Sequence, residues 1–179
     1  MRRSRKRIAA AVAVVAVFAA SAFAYHRHRY PYGWSHCCDK QLAFALLDYA
    51  DRHGGWFPKG EASPEASLSL LHRTDPVSGN ANLLRGKTVP EAAVRARLAA
   101  GELLTPESCG WHYVEGLRKD DDPRLALFWD KVGLGHRGER MSDGGHFVGL
   151  VNGSITYVPG DKWAAFLAEQ EQLRAALKR

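Results

Sequence analysis

Three residues near the C-terminal third of the chain could do chemistry together. In "GHRGERMSDGGH", His136, Asp143 and His146 are separated by glycine-rich segments that could fold back and bring two imidazoles and a carboxylate to one place. Such a set could hold a divalent metal or act as an acid-base pair in hydrolysis. The stricter spacings of metalloproteases, nucleophile elbows and glycine-rich phosphate loops are missing. The expectation is therefore a non-catalytic protein without a cofactor. The alternative is an extracytoplasmic metal-binding or metal-dependent hydrolytic domain built on His136, Asp143 and His146.

Two other clusters have plainer readings. "KDDDP" sets Asp120, Asp121 and Asp122 side by side, where three carboxylates could ligate calcium. The alternating spacing and closing glutamate of a calcium loop are absent, which favours a solvated turn ending at Pro123. Cys37, Cys38 and Cys109 are the disulfide candidates. A ring through vicinal Cys37 and Cys38 is strained, so Cys109 with one of them is the expected pair. Trp34, Trp56 and Trp111 would suit a ligand-binding surface only if they gathered on one open face.

The location of these residues follows from the N-terminus. "MRRSRKR" is followed by the uncharged, 18-residue segment from Ile8 to Tyr25, about long enough as a helix to cross a hydrocarbon core of ~30 Å. Five basic residues before it, against Arg27 and Arg29 after it, predict N-in orientation with the rest of the chain outside the cytoplasm. A retained single-pass anchor is expected, with signal-peptide cleavage after Ala24 as the alternative, since Ala22, Phe23 and Ala24 give a small-x-small pattern. The formal net charge of +6 comes mostly from this leader. Beyond it, 20 basic residues face 19 acidic ones, and no basic patch interleaved with aromatics follows. Nucleic acid is excluded as the expected partner.

The organisation predicted is a leader and membrane helix over residues 1–25, a linker over 26–36 containing Pro31 and Gly33, and one globular domain over 37–179. A helix is expected over about 37–53, with Ser35 as cap, Leu42, Ala45, Leu46 and Tyr49 on its apolar face, and Gly54 as terminator. Ser63 and Pro64 open a short helix through Leu68, Leu70 and Leu71. A long surface loop follows, then a thin-faced helix between Pro90 and Gly101. Strands begin near Trp111, and "LALFWD" alternates Leu125, Leu127 and Trp129 against Ala126, Phe128 and Asp130. Asn152-Gly153 predicts a type I′ hairpin pairing Leu150 with Ile155 and Val148 with Tyr157, which puts His146, Val148, Leu150, Ile155 and Tyr157 on the core face. Asp161 caps a last helix with the stripe Trp163, Phe166, Leu167, Leu173 and Leu177. Helices first, strands later and a closing helix define an α+β class.

"QLAFALLDYADRHGGWFP", "ASLSLLHR", "DPRLALFWDKVGLGH" and "GGHFVGLVNGSITYVP" together resemble the type IV pilin-like, pseudopilin-related proteins. Gln41, Tyr49, Phe57 and Pro58 match that family's helix-to-turn motif, and His136 its histidine upstream of the late hairpin. Asn152, Gly153 and Ser154 stand where the family has Asp-Gly-His, and the leader lacks the prepilin processing motif. The resemblance implies a pilin-like domain carried on a different leader. It would have a helix lying on a small antiparallel sheet and a structural or interaction role with the membrane and with envelope or pilus-like assembly proteins.

Overall fold

A computed structural model describes residues 2–34 and 39–177. The first element, α1 (Arg2–Arg29), is one continuous helix of 28 residues. It runs four residues past Tyr25 into the segment expected as linker and stops where Pro31 withholds a backbone donor. Arg140 N–H donates to Arg29 O at 2.8 Å, tying the end of α1 to the globular domain.

The domain opens with α2 (Asp39–Arg52), whose Leu42, Ala45, Leu46 and Tyr49 are buried on one stripe, as their spacing requires. Its end is closed by Gly54 in the left-handed region (φ 64°), which lets Gly55 N–H reach back to Ala50 O. The expected N-cap, Ser35, lies outside the described residues. Ser63 caps α3 (Pro64–Leu68) by accepting from Ala66 N–H, and α4 (Leu70–Thr74) follows directly, so the single short helix expected here is two.

The region read as a long surface loop contains a further short helix, α5 (Ala81–Leu84). Asn80 Oδ1 accepts from Leu83 N–H, while Leu83 and Leu84 are buried. A cap and two apolar anchors outweigh the loop-forming composition on either side. Next, α6 (Glu91–Ala99) buries only Val94 and Leu98, which matches its thin apolar face.

Four strands form one antiparallel sheet in sequence order: β1 (Trp111–Tyr113), β2 (Ala126–Asp130), β3 (His146–Leu150) and β4 (Ile155–Val158). All five residues of β2 are buried, because helices cover both faces of the sheet. Alternation separates the two sides. Trp129 meets Trp163 of α7 (Trp163–Ala175) edge-on at 5.7 Å, whereas its neighbour Asp130 faces the opposite layer, which holds α2. The architecture is thus α+β, with a long apolar N-terminal helix and a four-stranded sheet between helices.

Two expectations are corrected. The β3–β4 register is shifted by one residue: Phe147 pairs with Tyr157, Val148 with Thr156 and Gly149 with Ile155. A type I′ turn needs positive φ at both central residues, but only Gly153 has it (φ 81°). Gly153 N–H donates to Leu150 O and Leu150 N–H to Ser154 O, giving a three-residue loop in which Gly153 forms the bulge. One face therefore carries His146 and Val148 with Thr156 and Val158, while Ile155 and Tyr157 turn to the other with Phe147. The second correction concerns Asp161. It lies in a 3-10 turn (Gly160–Lys162) before α7, which has no side-chain cap. The apolar stripe of α7 packs on the core as expected.

Candidate functional site

The histidine-aspartate set does not assemble. Residues 131–145 make their own small turn, with Leu134 bridging Arg140 and Gly135 N–H donating to Glu139 O, and His136 is exposed within that turn. Asp143 is used elsewhere. It accepts from the Tyr157 hydroxyl at 2.5 Å and from Gly145 N–H at 3.2 Å, closing the sheet's outer end. These donors hold Asp143 below the usual carboxylate range, and the bond to the Asp143 carboxylate pushes Tyr157 up to about 12. The His146 ring stacks on Trp163 at 4.1 Å, and its Nδ1 lies 3.1 Å from Asp130 O. Among the described residues, no group of three His, Cys, Asp or Glu side chains could hold a metal.

The remaining sequence candidates also resolve locally. Asp120 pairs with Arg118, Asp121 accepts from Arg118 N–H, and Asp122 pairs with Arg124, so these carboxylates face basic partners and turn donors. Trp111 is wholly buried while Trp34 is exposed, so the tryptophans do not share one open face. Cys109 is a buried thiol donating to Leu84 O, and burial pushes it up to about 12. Its expected partners Cys37 and Cys38 lie outside the described residues.

The most unusual chemistry lies in the core and was not anticipated from the sequence. Lys87 is 1% exposed, and its Nζ stands 2.8 Å from Asp39 Oδ1 and 2.5 Å from Asp130 Oδ2. Asp39 opens α2, Asp130 ends β2, and Lys87 follows α5. The chain reaches this position through a crossing that only two glycines allow. A Cβ on Gly86 (φ 65°) would come within 2.9 Å of the Gly110 backbone, and one on Gly110 within 2.7 Å of Arg85 O. Gly110 N–H donates to Arg85 O at 2.9 Å and locks the crossing. Trp111 walls the site, with its ring centroid 5.6 Å from Lys87 Nζ and its indole N–H donating to Leu83 O.

Burial raises the Asp130 carboxyl to about 7, with Asp39 adding a like charge, although Lys87 opposes the shift. Burial alone would lower the Lys87 ammonium, yet the two carboxylates outweigh it and hold it above its ordinary value. Asp130 Oδ1 is buried with no hydrogen-bond partner. Burial thus favours the neutral acid at Asp130, while both carboxyl groups hold the ammonium of Lys87. In sequence, only the acid ending the otherwise apolar run "LALFW" hinted at this cluster.

Gln170 likewise carries no local sequence signal. It is 2% exposed, accepts from Ala126 N–H at 2.7 Å and donates to Arg124 O at 3.1 Å, fastening α7 to β2 where the β2–β3 register is irregular. No known family matches the chain, no curated protein matches it, and no solved structure matches its fold.

Proposed function

We propose that this is a non-catalytic, single-pass membrane protein of the cell envelope, whose pilin-like domain lies outside the cytoplasm and has a structural or interaction role. The observation that carries this reading is α1. From Lys6 to Arg29 it forms 24 residues of helix long and apolar enough to cross a bilayer, and none of that surface is buried against the domain. An exposed apolar helix of this length is costly in water and stable in lipid. The basic run before Ile8 favours retention of the N-terminus in the cytoplasm. Support for the pilin-like reading is the order of parts: a long N-terminal helix, a second helix against an antiparallel sheet, and a late hairpin.

The test is extraction of the full-length protein from native membranes. Retention through alkaline carbonate, release by detergent and an intact α1 at the mature N-terminus are expected. A soluble protein beginning after Ala24 would replace the anchor with a cleaved signal.

A further inference from the structure

We propose that Lys87 and Asp130 join in an autocatalytic isopeptide bond, with Asp39 as the proton carrier, so that the domain cross-links its own core. Three observations support this chemistry. The amine nitrogen and the Asp130 carboxyl oxygen are already at 2.5 Å. A second carboxylate touches the same nitrogen from another side, at 2.8 Å. All three groups are withdrawn from water, with side-chain exposures of 0% for Lys87, 1% for Asp130 and 10% for Asp39.

The roles of the two acids follow from their places. Asp130 is the deeper, and its carboxyl, raised to about 7, enters readily as the neutral acid, which is the electrophilic form. Asp39, at the start of α2, stands 2.8 Å from the same nitrogen and is placed to act as the base; because both carboxyl groups hold the Lys87 proton, removing it is the costly step. The Asp39 carboxylate takes one proton from the Lys87 ammonium. The freed amine attacks Cγ of Asp130, a C–N bond forms, and the carbonyl electron pair moves onto oxygen. A second proton passes from nitrogen through Asp39 to the Asp130 hydroxyl, which leaves as water when the carbonyl re-forms. The ammonium, the acid and the carboxylate become an amide, one water and a protonated Asp39, with no redox partner required.

Burial supplies both the proximity and the driving force. Holding the reacting atoms together makes the attack intramolecular. The product replaces a buried ammonium and two acids with a neutral amide and one acid, removing the desolvation penalty of the charged state. The bond would join the loop after α5 to the end of β2.

Intact-mass spectrometry of the full-length, disulfide-reduced protein in detergent tests this. Expected is a mass one water below that calculated, with the peptides bearing Lys87 and Asp130 recovered joined. Lys87→Arg and Asp39→Asn should each restore the full mass, and Asp130→Asn should lose ammonia in place of water. A folded wild-type protein of full mass with separate peptides would overturn the proposal. So would a loss of water that persists in Lys87→Arg, since that marks dehydration at another site. The wild-type measurement decides the matter even if a variant fails to fold.

Discussion

His146 is sandwiched between the sheet and the last helix: its ring stacks on Trp163 at 4.1 Å while its Nδ1 meets Asp130 O at 3.1 Å. On the same face His112 stacks on Trp129 at 4.2 Å. Partial desolvation, of His146 between the sheet and α7 and of the exposed His112 by its neighbours, holds both histidines below their ordinary value of 6.5. The unfolded chain therefore binds more protons than the folded one as the pH falls below 6.5, and the stabilisation present above 6.5 is lost through the lowered folded values. Docking of α7 should weaken on mild acidification, read locally as a change in the fluorescence of Trp129 and Trp163. His146→Phe should keep the stack and flatten this dependence. Tryptophan fluorescence that is constant between pH 7 and 5 would contradict it.

The buried cluster gives a stability prediction of its own. Relative to Lys87→Arg, which keeps the counter-charge without a cross-link, Lys87→Met leaves Asp39 and Asp130 facing each other without one, and a loss of about 3–5 kcal/mol is expected by denaturant unfolding. Adding Asp130→Leu should recover most of that loss, because the remaining acid is the more exposed one. A double variant no more stable than the single would show that packing, and not charge, dominates the site.

At the hairpin, Gly153→Ala should cost about 1–2 kcal/mol, since a side chain is strained at positive φ and its Cβ would come within 2.5 Å of Leu47 Cδ1. Asn152→Ala removes the bonds that Oδ1 accepts from Ser154 N–H and Oγ, and should cost about 1 kcal/mol. A Gly153→Ala variant as stable as the wild type would speak against the bulged turn.

The shifted register makes a sharper distinction. Val148 is fully buried and Leu150 only in part. Val148→Asp should abolish folding, whereas Leu150→Asp should leave a destabilised but folded domain, as circular dichroism of the two variants would show. His136→Ala, on an exposed turn, should change Tm very little.

These contrasts show where local pattern is sufficient and where it is not. The apolar stripes of α2 and α7, the Ser63 cap and the glycine stop at Gly54 depend on neighbours within a turn or two, and the sequence displays them directly. The α+β class follows from their order. The hairpin register failed because Asn-Gly serves two turn types, and the choice depends on how β3 sits against β2 and α2. The core cluster was invisible for a stronger reason. Asp39, Lys87 and Asp130 come from three separate elements, and only the Gly86–Gly110 crossing brings the lysine to the acids. The candidates that the sequence suggests, His136, Asp143 and His146, lie close along the chain, but His136 sits in the exposed turn at 134–140, Asp143 binds Tyr157 and His146 stacks on Trp163.

The central claim is that α1 holds the folded domain on the outer side of the membrane. Protease added to intact spheroplasts tests it most directly. The account predicts that the domain is degraded while a cytoplasmic control protein survives, leaving a membrane-embedded fragment that contains Ile8 to Tyr25. A domain protected until the membrane is lysed would contradict it.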